Sequence, residues 1–411
     1  MNVNLVSGNL LWTSVNPIPH QYAYLTEDIE CDVVIVGAGI TGAACAYYFT
    51  EAGIQTVLVD KNIVGYGATS ASTSLLQYEV DYDLHQLQGM IGMDNGVKSF
   101  KLCEQAVYEI EKIVNRLEDK CDFERKECFY YTTDKAQVKT MKKEYGLRKE
   151  YGFDVEFLEK RAARERFSFP VEAGIYSGFG AGQIDPYRFA NALIAHSVKK
   201  GARVFENTEI INMQNQGPGI TLTTHNHKKI SAKKVVIATG FEAQKHIKEN
   251  ILQLSRTFTL ATKPAQKFEG WHRTCLIRDN NTPYVYLRTT GDGRIIIGGE
   301  DIPIGGKNSN MAKVHDVDGV LEEKYTMLTN KLQAFFPGIP NIEIEFKFNG
   351  LFGESKDGLP YIGEYADLPN CYFSLGYGSN GILYSVLGGR LLRDLYFGHA
   401  APELELFRFG R

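Results

Sequence analysis

One stretch limits the fold of this chain more than any other. From Cys31 to Asp60 it reads CDVVIVGAGITGAACAYYFTEAGIQTVLVD. Val33 to Val36 form a short apolar run stopped by glycine, the pattern of a strand buried on both faces of a parallel sheet. Gly37, Gly39 and Gly42 then match GxGxxG. The first glycine permits a tight turn, the second lets backbone approach a pyrophosphate, and the third lets the helix pack closely on the strand. Phosphates would lie against the helix N-terminus, where unpaired N–H groups and the dipole favour negative charge. Ala43, Ala44 and Ala46 keep that helix thin. TVLVD supplies a second strand ending in Asp60, 23 positions after Gly37, where a carboxylate can accept hydrogen bonds from a ribose diol. Strand, loop, helix, strand and acid in register predict an α/β fold that binds a dinucleotide. NAD and FAD share that half.

The 411 residues predict two domains, and 44% hydrophobic content is enough for two cores. A net charge of −4 without a basic stripe argues against a nucleic-acid partner. The start, MNVNLVSGNLLWTS, lacks a cationic secretory signal, and no stretch is apolar enough to span a bilayer, so a cytoplasmic location is expected. Seven cysteines without a CxxC pair read as reduced, mostly buried thiols rather than zinc ligands.

Three further segments favour a flavin. After Asp60 comes a run of small and hydroxyl residues, Gly65 to Ser74, whose N–H and hydroxyl groups can reach phosphate and a ribityl chain; the same composition also suits an ordinary surface loop. GARVFENTEIINM and ITLTTHNHKKISAKKVVIATG predict a strand, a hairpin and a buried strand, Val235 to Ile237, ending in small residues beside a ligand crevice. His225 and His227 fit a solvated hairpin tip better than a metal site, because no carboxylate or cysteine accompanies them at ligand spacing. Near the other end, Tyr372 to Leu375 form a strand entering the glycine-rich loop SLGYGSNGI. Only 30 residues follow Gly381, too few for a second mononucleotide half, so this is not a second phosphate loop. Its glycines would let backbone pass close to a flavin, with a helix from about Ile382 aiming N–H groups at the ring.

With DGLPYIG, VVIATG and YLRTTGDGRIIIGGED in the same order, the chain resembles the glycine/D-amino acid oxidase (DAO-type) superfamily of FAD-dependent oxidoreductases, most of all its gamma-glutamylputrescine oxidase-type members. The resemblance covers nearly the whole chain. It implies a Rossmann-like FAD domain of the glutathione-reductase type with a discontinuous α+β substrate domain. Residues 1–85, 160–245 and 345–411 are expected in the first, and 86–159 and 246–344 in the second. It further implies non-covalent FAD held by Gly37, Gly39, Ile40, Thr41, Gly42, Asp60, Lys61, Ala68, Thr69, Ser70, Ser72, Thr73, Ile210, Thr239 and Gly240. Gly376, Gly378, Ser379, Asn380, Gly381 and Ile382 would close over the ring.

A flavin carries the hard chemistry and the protein positions the substrate. On PYVYLRTT, Tyr284, Tyr286 and Arg288 alternate and share one strand face. Either that face lines the flavin, with the tyrosines as lid and Arg288 attracting an anionic group, or it is the outside of a sheet. Lys263 and Lys267 are candidate helpers of oxygen reduction, since a cation stabilises superoxide; loop lysines are also commonly solvated. The basic run KKEYGLRKE from Lys142 reads as a solvated helix face.

Departures from the family's pattern bear on substrate. Where relatives place a carboxylate-clamping arginine, this chain has Phe352. At the basic positions of the sarcosine oxidase pattern it has Ser74 and Leu383, and the cysteine that some of those enzymes join to the flavin has no counterpart. A simple α-amino acid is therefore disfavoured. The expected function is FAD-dependent oxidation of a C–N bond in a small amine or amino-acid-like substrate, with oxygen or another acceptor reoxidising the flavin. Oxidation of a hydroxy acid or polyol, a non-catalytic flavoprotein and an NAD-only dehydrogenase stand as alternatives.

Overall fold

The protein is described by a computed structural model covering residues 5–305, 319–340 and 342–411. The expected domain blocks extend to positions 1–4, 306–318 and 341, which lie outside the described residues.

Two sheets organise the chain. The eight-stranded one is built on the fingerprint strand Ile29–Val36, which lies between the parallel strands Thr56–Val59 and Lys229–Ile237. Arg203–Phe205 extends it on one side. Cys371–Leu375 and the antiparallel Tyr361–Glu364 extend it on the other. The expected hairpin is present as Ile220–Thr224 against Lys229–Ile237. The helix Ile40–Glu51 is buried almost all round, because its alanines let Gly381–Tyr396 approach closely. A Cβ on Gly389 would lie 2.9 Å from the Ala44 carbonyl oxygen.

The ten-stranded sheet runs in the order Val6–Gly8, Ile344–Glu354, Gln253–Thr262, Ile295–Pro303, Val285–Thr289, Leu276–Asp279, Glu124–Thr132, Ala173–Gln183, Leu75–Gln77, with Val155–Glu159 added on Ala173–Gln183. Phe129, Tyr131, Phe258, Leu260, Trp271 and Phe336 form a core with the helix Val320–Phe335 over one of its faces.

These sheets divide the chain differently from the expected blocks. Val6–Gly8, Leu75–Gln77, Ala173–Gln183 and Ile344–Glu354 all pair in the ten-stranded sheet, although they fall within blocks expected for the nucleotide domain. Conversely, the helix Met93–Arg116, expected in the substrate domain, buries Phe100, Ala106, Val107 and Ile110 in the core that also holds Ile40–Glu51 and Gly381–Tyr396. A strand or helix pattern states which face is apolar; the sheet it joins is set by long-range pairing.

The basic run from Lys142 lies on the helix Val138–Glu150 with Lys142, Lys143, Lys149 and Glu150 exposed, as a solvated face requires; its other side departs from that expectation, because Glu144 and Arg148 are fully buried. Arg148 contacts Glu144 at 2.9 Å, Glu79 at 2.9 Å and Asp83 at 3.4 Å, so burial is matched by charge. No described helix is long and apolar enough to cross a membrane.

Candidate functional site

The carboxyl ends of the parallel strands open into a cleft that reaches the ten-stranded sheet. Its cavity volume is about 350 Å³, within the roughly 300–1,000 Å³ of small-molecule and cofactor sites.

At the near end, Gly37 has φ +108°, and a Cβ there would sit 2.5 Å from the Ala238 carbonyl oxygen. Gly39, Ile40 and Thr41 line the cleft, and the Ile40 N–H donates to the Thr69 hydroxyl at 3.0 Å. Gly42 does not line it; its Cβ would fall 1.8 Å from the Gly37 carbonyl oxygen, so it serves the close fit of helix on loop. Asp60 accepts the Ala38 N–H and the Asn62 N–H at 2.7 Å each, fixing its carboxylate at the rim. Burial raises its pKa, against those hydrogen bonds. Lys61 pairs with Glu242 at 2.9 Å, and both line the cleft.

Ala68, Thr69, Ser72, Thr73, Ile210, Thr239 and Gly240 also face the cleft. Ser70 does not: it is fully buried and donates to the Gly67 carbonyl at 2.8 Å, holding the turn Ala68–Ala71. From the late loop, Gly376, Gly378, Ser379, Asn380, Gly381 and Ile382 all reach the cleft, and the helix Gly381–Tyr396 starts there. Gly378 has φ +55°, and a Cβ would overlap the Asp81 carboxylate at 1.8 Å. Asp81 accepts from both the N–H and the hydroxyl of Ser379. The Asn380 amide donates to the carbonyls of Gln77 and Glu79.

The far end is walled by Tyr284, Tyr286, Thr257, Phe352 and Arg278. The tyrosine rings lie 5.7 Å apart, and Tyr286 meets the Thr257 hydroxyl at 3.3 Å. Burial raises the Tyr286 phenol to about 12 and Tyr284 further, so both are neutral donors.

Arg288 is placed elsewhere. Two residues of strand advance it about 6–7 Å past Tyr286, beyond the cleft wall. There its guanidinium lies 5.1 Å from the Trp12 ring and donates to the Ile184 carbonyl. Burial lowers its pKa to about 9. The arginine of the cleft is Arg278, on Leu276–Asp279, stacked 4.7 Å from the Tyr130 ring. Lys263 is exposed and paired with Glu343 at 2.6 Å, and Lys267 is exposed; neither lines the cleft. The potential metal group among the described residues is Asp83, His85 and Glu144, where the Arg148 guanidinium already pairs with both carboxylates. Arg278, Thr257 and Gln77 were not anticipated, and no sequence motif marks them; Tyr377 lies within the anticipated GYGSNGI loop.

The cleft's unsatisfied atoms test whether a dinucleotide fits. Three lining residues carry buried polar atoms without a hydrogen-bond partner among the described residues: Thr239 Oγ1, Ser74 Oγ and Asn380 Oδ1. Buried polar groups are rarely left unpaired. These lie in the three segments expected to meet a flavin dinucleotide, and the glycines beside them hold the walls open. The residues present fit FAD.

Comparison with known proteins agrees. The chain is 24% identical over 383 residues to gamma-glutamylputrescine oxidoreductase of Escherichia coli (strain K12), covering 92% of this chain and 86% of that one. It is 24% identical over 387 residues to glycine oxidase of Bacillus subtilis (strain 168), covering 92% and 97%. The crystal structure of glycine oxidase from Geobacillus kaustophilus shares the fold, with a TM-score of 0.78 at 22% identity, covering 93% of this chain and 99% of that one. Residues 32–395 match the FAD dependent oxidoreductase family, and the chain belongs to it.

Proposed function

We propose that this FAD-dependent oxidoreductase oxidises a C–N bond of a small amine or amino-acid-like substrate. The observation that carries this reading is the continuity of one cleft from the glycine fingerprint to a wall lined by Tyr284, Tyr286 and Phe352. The relatives named as a gamma-glutamylputrescine oxidoreductase and a glycine oxidase are consistent with C–N chemistry.

In this reading the N–H groups at Gly39 and Thr41 receive the pyrophosphate, the Ile40 N–H being held by Thr69, and Asp60 receives the adenosine ribose. The turn Ala68–Ala71 with Ser72 and Thr73, together with Thr239 and Gly240, flanks the dinucleotide. Gly376 to Ile382 cover its ring, with the helix Gly381–Tyr396 placing its positive end nearby. FAD, when bound, supplies a hydride acceptor. The protein's own residues orient the substrate and exclude water. Tyr284, Tyr286 and Phe352 surround the reacting nitrogen with buried walls that disfavour an ammonium there, easing loss of its proton. No cysteine lines the cleft among the described residues, so FAD is read as non-covalent. Seven buried free thiols fit a reducing, cytoplasmic setting.

The test is anaerobic bleaching of the purified yellow protein with panels of amines, amino acids, hydroxy acids and polyols, followed by mixing with oxygen. Bleaching by amines is expected. Bleaching by the hydroxyl panel alone would replace this reading with C–O oxidation.

A further inference from the structure

Residues 5–16 lie ahead of the stretch that the family matches, yet they meet several walls of the cleft. Leu5 lines it, and its carbonyl accepts the Leu351 N–H at 2.9 Å. Val6–Gly8 pairs along Ile344–Glu354, the strand that carries Phe352. On the short helix Leu11–Val15, Trp12 is 4% exposed, and its indole N–H donates to the Ser72 carbonyl at 2.7 Å. The Arg288 guanidinium lies over the same indole, two positions along the strand from Tyr286. The Asn16 amide donates to the Trp12 carbonyl at 2.8 Å and to Asp185 at 2.7 Å. Asp185 in turn caps the helix Pro186–Lys199, whose Pro186 lines the cleft.

The bond to Ser72 gains its weight from the residue two positions on. Ser74 lines the cleft at φ +59°, in the left-handed region that a residue with a side chain keeps only where its surroundings hold it. Its N–H donates to the Ser72 hydroxyl at 3.1 Å, so the two residues move together. On the far side, Leu75–Gln77 is fixed by pairing with Ala173–Gln183. On the near side, among the described residues, the hydrogen bond tying Ser72 to anything beyond its own loop is the one from Trp12. The Ser74 Oγ atom that results is buried at the cleft and unpaired. A cation over an indole face polarises the ring and strengthens its N–H as a donor.

We propose that Trp12 is a positioning residue for the cofactor: its N–H holds the Ser72 carbonyl, keeps Ser74 left-handed, and so presents the Ser74 hydroxyl to bound FAD. Arg288 stands behind it, fixing and polarising the indole. The assignment goes beyond the C–N reading and is independent of the substrate, because it concerns FAD alone.

The experiment follows FAD release from the diluted holoenzyme by the fluorescence of free FAD, together with the absorption spectrum of the flavin still bound. Trp12→Phe keeps a ring against Leu11, Ala71, Ile296 and Phe348 and removes the N–H. It is expected to speed release at least about tenfold and to shift the bound flavin's absorption bands. An unchanged spectrum, with Tm lowered equally with and without excess FAD, would reduce Trp12 to packing and overturn the proposal. Glycine enters the left-handed region without being held there. Within Ser74→Gly, adding Trp12→Phe should therefore speed release by less than about threefold. The full tenfold effect in both backgrounds overturns the route through Ser74. Asn16→Ala loosens the same segment without altering the indole, and decides the matter if Trp12→Phe does not fold. Release should then be about threefold faster; an unchanged rate overturns the proposal.

Discussion

Two buried acidic clusters lie on either side of the segment from Tyr78 to Asp83, and they differ in one respect. Glu79, Asp83 and Glu144 surround Arg148, which bonds to all three, and His85 adds a contact to Glu144 at 3.1 Å. Asp81, Asp301 and Glu354 share no guanidinium bonded to all three, although Arg278 acts on Asp81 and Lys324 on Asp301. Attraction to Arg148 and hydrogen bonds from His85 and Arg148 outweigh burial and hold the Glu144 carboxyl down at about 2, whereas Asp301 and Glu354 are driven up to about 7. The same residue type in the same fold is thus held charged where a bonded cation outweighs burial, and pushed toward its neutral form where burial dominates.

The strongest test of this contrast removes the centre of the matched cluster. Arg148→Ala removes the guanidinium shared by three carboxylates and should destabilise the protein by about 3–5 kcal/mol, read by chemical denaturation. A loss no larger than that of an exposed arginine would remove the distinction between the clusters.

A smaller effect concerns pH. Glu144 is depressed, so its contribution is complete above its ordinary value of 4.5 and is lost as pH falls toward 2. Asp301 and Glu354 are raised, so the folded protein holds protons that the unfolded chain releases from about 4 upward. Stability therefore falls as pH rises toward 7 and levels off above it. Asp301→Asn with Glu354→Gln should flatten the fall in holoenzyme Tm between pH 5 and pH 8. An unchanged slope would mean that other groups carry it.

The smallest effect is expected at Lys263. Its pair with Glu343 is solvent-exposed and far from the cleft wall. Lys263→Ala should leave both Tm and the rate of flavin reoxidation by oxygen unchanged in stopped-flow mixing; a marked slowing would restore it as an oxygen helper.

The nucleotide end was legible in the sequence because its parts are contiguous. Strand, glycines, helix and Asp60 sit within 30 residues, and each has a local reason. The far wall was not. Arg278 and Thr257 come from two strands brought together by the pairing of a ten-stranded sheet, and neither is marked by its neighbours in the chain. Alternation assigned Tyr284, Tyr286 and Arg288 to one face correctly as a rule of strands, but where the cleft ends along that face depends on Trp12 and Ile184. Arg148 was hidden by a charged run, since its burial follows from the packing of residues 78–83 against the helix that carries it.

The attachment of the late loop has a consequence for the making of the protein. Ser379 and Asn380 grip Asp81, Gln77 and Glu79, roughly three hundred positions earlier in the chain. Strand Cys371–Leu375 meanwhile completes the sheet on which the glycine fingerprint stands. The walls of the cleft are therefore not all present until the ribosome has delivered both. Synthesis of the fingerprint alone creates one side of a vessel, and the last stretch of chain supplies the seal that makes it hold its contents.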